Sequence, residues 1–173
     1  ASRLKGGGMV ATIMSNMGLA EYLKGLDLTL ARTKVGDRYV GEHMRQHGFN
    51  LGGEQSGHII LSDVSTTGDG LLAALQVLKT LASSDLPASS IMRVFEPAPQ
   101  ELVNIPFNGS NPLESAGVGD ALTQADELLG ERGRMVVRKS GTEPLIRVMA
   151  EALDDELMHR ALSLVVAAVR AEA

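Results

Sequence analysis

The chain has 173 residues, enough for one ordinary domain or two small ones. Hydrophobic residues make up 44% but aromatics only 3%, and Trp is absent, so any core must rest on Leu, Val, Ile, Ala and Met. Cysteine is absent, which excludes disulfides, thiolate metal sites and a Cys nucleophile, and a net charge of −5 without a basic run argues against nucleic acid.

No run approaches the ~18 apolar residues of a membrane span, and no secretory signal is visible. A reducing cytoplasm is compatible with this composition. The opening "ASRLKGGG" lacks an initiator Met and reads as the last turn of a helix followed by a glycine stop. The expectation is a fragment of a longer polypeptide.

The first half alternates strand and helix signals. "MVATIM" (9–14) is a short apolar run suited to a buried strand. "SNMGLAEYLKGL" follows as a helix, with Ser15 or Asn16 as N-cap. "LTLAR" (28–32) reads as a second strand. "GDRYVGEHMRQHG" reads as a second helix, capped by Asp37 and ended by Gly48. "HIILS" (58–62) reads as a strand. "STTGDG" then leads into "LLAALQVLKTLASSDL", where Leu71, Leu75 and Leu78 recur at helical spacing and Leu81 extends the stripe. Asp69 is positioned to cap or order that helix. This alternation predicts an α/β layer with a mostly parallel sheet.

"RVFEPAPQ" (93–100) is a connector, because two prolines in three residues favour extended backbone. The predicted organisation is a first domain over 1–92, a hinge at 93–100 and a second domain over 101–173. In the second half, "LVNIPF" places Val103, Ile105 and Phe107 on one face of a half-buried strand, and Pro106 marks it as an edge. "VGDALTQADELLG" reads as an amphipathic helix ending at Gly130. "RMVVR" and "LIRVMAE" are strands joined by "KSGTEP". "DDELMHRALSLVVAAVRAEA" is a helix with acidic residues where the dipole favours them. The second domain is therefore small and α+β.

Two stretches concentrate polar chemistry. "GGEQSGH" (52–58) brings a carboxylate, an amide, a hydroxyl and an imidazole together among glycines. Glu54 and Ser56 are two apart, so in extended backbone they point to one side. A carboxylate beside a hydroxyl suits adjacent sugar hydroxyls, which need acceptors and donors. His58 reads as a donor, an acid–base group or a satisfied strand histidine. In "RKSGTEPLIR" (138–147), a Ser140–Gly141–Thr142 turn can expose consecutive amides as an anion-binding concavity. Arg138 can add a bidentate fork to a phosphate, and Arg147 lies further along the return strand. An ordinary hairpin with solvated cations is the competing reading. Lys34, Asp37 and Arg38 lie at a strand-to-helix turn, where open α/β sheets place ligands. His43 and His47 are one helical turn apart without a third ligand nearby, so no metal is expected on this chain.

Taken together, "GGEQSGH", "TTGDG", "MSNMGL", "KVGDRYV" and "RKSGTEPLIRVM" closely resemble the α-D-phosphohexomutase superfamily, and within it the bacterial branch acting on glucosamine phosphates. The resemblance spans nearly the whole chain. It covers only the C-terminal part of the family polypeptide, most of domain 3 and all of domain 4. It implies an α/β mixed-sheet domain truncated at its start, followed by a small α+β domain of the TATA-binding-protein-like fold.

It also implies an isomerase that interconverts glucosamine 6-phosphate and glucosamine 1-phosphate, on the cytoplasmic route to UDP-N-acetylglucosamine and cell wall. A phosphoserine and a magnesium ion serve that chemistry, with glucosamine 1,6-bisphosphate as intermediate. Glu54 and Ser56 become sugar ligands; Arg138, Ser140, Gly141, Thr142 and Arg147 become phosphate ligands; His58 matches the motif histidine and assists proton movement. Lys139 is part of the motif without an assigned role. The family's phosphoserine motif, of the type TASHNP, and its magnesium loop, of the type DGDGDR, are absent from the chain. Ser56 and Ser140 do not match the nucleophile. The implied partners are a phosphosugar and the missing domains 1 and 2 of the same polypeptide, with no nucleic acid or membrane; an oligomer is compatible. By itself the chain is expected to bind sugar phosphate weakly without turning it over. A sister enzyme acting on mannose or glucose phosphates, and a non-catalytic sugar-phosphate-binding module, are the alternatives.

Overall fold

A computed structural model describes residues 3–173. The chain forms two compact units, the first reaching to Pro97 and the second running from Ala98 to the C-terminus. Residues 93–99, which span that boundary, carry no helix or strand.

The first unit contains strands β1 (Gly8–Thr12), β2 (Thr29–Thr33), β3 (Leu51–Gly53) and β4 (Ile59–Leu61). Its helices are α1 (Met17–Lys24), α2 (Asp37–His47), α3 (Gly70–Ala82) and the short α4 (Ala88–Met92). The sheet order is β2-β1-β3-β4. β1 pairs in parallel with β2 and β3, and β4 closes antiparallel on β3. The mixed sheet is the predicted one with a short strand added, since β3 lies inside the stretch read as a loop. The expected helix end at the start of the chain falls partly on residues 1 and 2, outside the described residues; residues from Arg3 to Gly7 form turns.

Local caps explain the boundaries. The side chain of Asn16, rather than Ser15, accepts from the Gly18 N–H at 2.8 Å and opens α1. Asp69 accepts from the amides of Leu71 and Leu72, both at 3.0 Å, and opens α3. α2 departs from expectation. Asp37 is its first helical residue, and the cap is Gly36, whose side chain has nothing to offer. The amide there is satisfied from outside the helix, as described below.

Val10, Val40, Met44 and Ile60 form the core between α2 and one face of this sheet. Gly52 makes that packing possible. A Cβ at Gly52 would lie 2.5 Å from the Met44 sulfur and 2.7 Å from Val40 Cγ1. The leucine stripe of α3 forms as a helix but does not become core: Leu71 is 79% exposed, and Leu75 and Leu78 are each 58% exposed. Helical periodicity reports an apolar face; what covers that face is a tertiary matter.

A polar clip ties the start of the described chain to the β3–β4 hairpin. Lys5 Nζ reaches Asp63 Oδ1 at 2.6 Å, and Asn50 Nδ2 donates to Asp63 Oδ2 at 2.8 Å. The Asn50 side chain also accepts the Lys5 N–H at 2.8 Å. The Lys5 bond first, then the Asn50 bond, hold the Asp63 carboxyl below its ordinary value.

The second unit is a three-stranded antiparallel sheet with order β5-β7-β6: β5 (Gln100–Pro106), β6 (Gly133–Lys139) and β7 (Leu145–Ala152). Helices α5 (Ala116–Leu129) and α6 (Asp155–Ala171) pack on one face. Ile146, Val148, Ala150 and Ala152 of β7 point into that core with Val118, Leu129, Leu157 and Val165 of the helices. β5 is an edge strand, and Val103, Ile105 and Phe107 all face the core. Asp154 caps α6 by accepting from Leu157 N–H at 2.8 Å, with Asp155 and Glu156 in its first turn.

Leu129→Ala is expected to cost about 2–5 kcal/mol of stability, because Leu129 is buried in the second core. Leu71→Ala should stay within about 0.5 kcal/mol. Calorimetric unfolding of the two variants checks the contrast. Because Asp63 has a lowered folded pKa, its contribution is present above the ordinary aspartate value and is lost as pH falls through the folded value. Asp63→Asn should therefore flatten the acid limb of a stability–pH profile.

Candidate functional site

Two loops, one in each unit, carry the polar chemistry. In the first unit the chain leaves β3 at Gly53 and turns over Glu54–Gly57 before β4. The Gly57 N–H donates to the Glu54 carbonyl at 3.1 Å, and the Glu54 N–H donates to the His58 carbonyl at 2.9 Å. Glu54 and Ser56 are adjacent because of this turn, not because of extended backbone.

The Glu54 carboxylate organises the loop. Its Oε1 accepts the Gly36 N–H at 2.7 Å. Its Oε2 lies 3.3 Å from Ser56 Oγ and 3.2 Å from His58 Nδ1. Ser56 Oγ and His58 Nδ1 are themselves 3.2 Å apart. The Glu54 side chain is 9% exposed, whereas that of His58 is 60% exposed. A buried carboxylate at a helix N-terminus thus holds a hydroxyl and an imidazole at the surface. In the tautomer that donates Nδ1–H to Glu54, Nε2 is the acceptor nitrogen of the His58 ring.

A cleft lined by Glu54 and His58 also includes Ser15, Asn16, Gly53 and Phe95. Ser15 and Asn16 follow β1, so the "MSNMGL" segment reaches this cleft from the carboxyl end of a parallel strand. Gly36 has φ of +130°, a region glycine occupies without strain. A Cβ there would also crowd the Tyr39 ring at 3.2 Å. Lys34, Asp37 and Arg38 are exposed on the same β2–α2 turn. The part that turn plays in the loop is through its backbone, and the sequence reading missed it. Its signal was the glycine immediately before the acidic residue.

In the second unit, β6 and β7 are joined by the loop from Ser140 to Pro144. Ser140 is 6% exposed, and its N–H donates to the Leu145 carbonyl at 2.8 Å. The N–H groups of Gly141, Thr142 and Glu143 have no hydrogen-bond partner among the described residues. Unpartnered amides in succession are the raw material of an anion-binding concavity. A Cβ at Gly141 would meet nothing within 4 Å, so the space above it is open. Phe107, Asn108 and Lys139 border the loop, with the Lys139 ammonium 5.3 Å above the Phe107 ring.

The sheet face away from the helices supplies the cations. Arg138 lies directly opposite Arg147 in the β6–β7 register, and Asn104 flanks Arg147 from β5. Further down the same face Arg134 pairs with the buried Glu151. Arg138 has no carboxylate partner among the described residues, and Arg147 has Glu143, with Nη2 to Oε2 at 3.3 Å. Like charges directly opposite on a sheet are destabilising. A bound anion relieves that repulsion, so the geometry favours one.

The family model for phosphoglucomutase/phosphomannomutase domain III, an alpha/beta/alpha domain, matches residues 1–98, and the model for the C-terminal domain of the same family matches 102–168. The chain belongs to the phosphoglucomutase/phosphomannomutase family. It is 74% identical over 171 residues to a phosphoglucosamine mutase of Hyphomonas neptunium, covering 99% of this chain and 38% of the relative. It is 60% identical to the phosphoglucosamine mutase of Rhodospirillum centenum, covering 98% of this chain and 36% of the relative. The chain therefore spans under two-fifths of these curated relatives. Among solved structures, Aspergillus fumigatus N-acetylphosphoglucosamine mutase in complex with GlcNAc-6P and magnesium matches with a TM-score of 0.75 at 22% identity, over 98% of this chain and 42% of that one. A phosphoglucomutase/phosphomannomutase family protein of Burkholderia thailandensis matches with a TM-score of 0.73 at 21% identity, over 96% and 38%. At these identities the structural matches speak for the fold.

No group of three or more His, Asp or Glu side chains that could hold a metal ion occurs among the described residues. No helix among them is long and apolar enough to cross a membrane.

Gly36→Ala is expected to destabilise the chain by about 1–2 kcal/mol through backbone strain. It should also loosen the Glu54 loop, and faster amide exchange at Gly57 relative to wild type is the readout.

Proposed function

We propose that this chain is the sugar- and phosphate-gripping part of a cytoplasmic enzyme that interconverts glucosamine 6-phosphate and glucosamine 1-phosphate. The observation that carries the reading is the 74% identity to a phosphoglucosamine mutase across a stretch containing both polar loops. Their geometry suits the task.

Glu54 and Ser56 offer an acceptor and a hydroxyl to neighbouring sugar hydroxyls. Because Oε1 is committed to Gly36, a sugar hydroxyl takes the place of Ser56 or His58 at Oε2. His58 lines the cleft and can hold a proton in transit. In the second unit Arg138, Arg147, Ser140 and the amides of Gly141 and Thr142 grip the phosphate that is not reacting. This clamp works by positioning.

The residues of this chain do not fit the family's magnesium, since no such cluster forms among those described. On this reading the metal loop and the nucleophilic phosphoserine belong to the part of the polypeptide outside this chain. The intermediate they generate, glucosamine 1,6-bisphosphate, carries the two chemistries that these loops separately suit, sugar hydroxyls and a phosphate.

The test is a substrate panel on the full-length protein containing this chain. Glucosamine 6-phosphate should be the preferred substrate; preference for mannose 1-phosphate would overturn the assignment. Arg138→Ala should raise KM about ten- to a hundredfold, the loss of one charge-assisted phosphate contact. Glu54→Ala should lower kcat/KM about tenfold or more with an unchanged circular dichroism spectrum. Wild-type kinetics in either variant would remove that residue from the site.

A further inference from the structure

The acidic residue within the phosphate loop is the feature the functional reading leaves unused. Glu143 follows the open amides of Gly141 and Thr142, and its own N–H is likewise unpartnered. Its carboxylate does not point away from the cations. Glu143 Oε2 sits 3.3 Å from Arg147 Nη2, with the two side chains 56% and 31% exposed.

That distance is long for a charge-assisted bond, which normally closes to about 2.7–2.9 Å. The rest of the Arg147 fork is poorly used. Its Nε is buried and has no hydrogen-bond partner. Arg138 faces it across the strand pair with no carboxylate of its own among the described residues. Glu143 is therefore the counter-ion of an otherwise uncompensated guanidinium pair, and it engages one of the donors a phosphate would use. A turn residue more than half exposed can swing away when a stronger anion arrives.

We infer that Glu143 is an internal competitor for the phosphate site, a carboxylate that occupies Arg147 when the clamp is empty and limits how tightly a phosphate is held. This rests on reading the 138–147 loop as a phosphate clamp. A phosphate dianion carries about two charges against the carboxylate's one, so it displaces Glu143 rather than sharing Arg147 with it. The displaced carboxylate stays on the same short loop and repels the bound anion. The grip is weaker than the donor set alone would provide. A site that must release one phosphate and accept another needs such a limit.

The experiment titrates the 173-residue chain with inorganic phosphate and with glucose 6-phosphate, following amide shifts of Ser140, Gly141 and Thr142 by NMR. Glu143→Gln and Glu143→Ala are compared with wild type and with Arg147→Ala. Glu143 lies exposed on a turn, and thermal unfolding verifies that each variant is folded. Removing the carboxylate is expected to tighten phosphate binding about two- to fivefold in both Glu143 variants, the range set by an exposed ion pair. The gain should shrink at high salt. Arg147→Ala should weaken binding. Unchanged affinity in both Glu143 variants overturns the inference. So does weaker binding in Glu143→Ala, which would make Glu143 a positioning residue for Arg147. If wild type binds neither probe at these amides and the Glu143 variants do not either, the clamp reading itself fails and takes the inference with it.

Discussion

One hydrogen bond organises the first unit's loop: the Gly36 N–H donated to Glu54 Oε1 at 2.7 Å. It joins the β3–β4 turn to the N-terminus of α2. It satisfies a helix donor that no side-chain cap serves. It places a largely buried carboxylate in the positive field of a helix end, where negative charge is stabilised. Ser56 and His58 are then arranged around the second oxygen of the same carboxylate. Gly52 is part of this arrangement, since its missing side chain lets Met44 and Val40 bring α2 against β3.

The second unit solves a different problem. Its sheet has one apolar face, buried under α5 and α6, and one face that carries arginines. The apolar face supplies the rigidity, with Ile146, Val148, Ala150 and Ala152 all fully buried along the central strand. The register that puts these four inward necessarily puts Arg147 outward, opposite Arg138. Arg134 is neutralised by Glu151 lower on the same face. Two arginines sharing one exposed carboxylate, Glu143, are thus concentrated near the loop, beside the open amides of Gly141 and Thr142. Packing on one side of the sheet places the cations on the other.

Much of this was legible from the residues in order. Strand and helix alternation located β1, α1, β2, α2, β4 and α3, and the alternation of Val103, Ile105 and Phe107 identified the inward face of β5. The caps at Asn16 and Asp69 follow from short-range side-chain chemistry. β3 was not legible, because Leu51–Gly53 contains two glycines and has no β propensity of its own; its pairing comes from β1 and β4. The Gly36 cap was hidden for a similar reason. The carboxylate that serves it arrives from eighteen residues away. The exposed leucines of α3 show the converse limit, a correct helical stripe whose burial local spacing could not decide.

The sequence by itself determined which groups are available: the carboxylate, hydroxyl and imidazole of 54–58, the arginines, and the glycine turn at 141. It determined the family too, because those motifs recur together. Tertiary structure decided which groups meet. Glu54 finds Gly36 only when α2 lies across β3, and Arg138 faces Arg147 only in the register that the apolar core enforces. Periodicity and capping act within a few residues of chain. Pairing between distant polar groups depends on the packing of whole elements, and no local pattern encodes it.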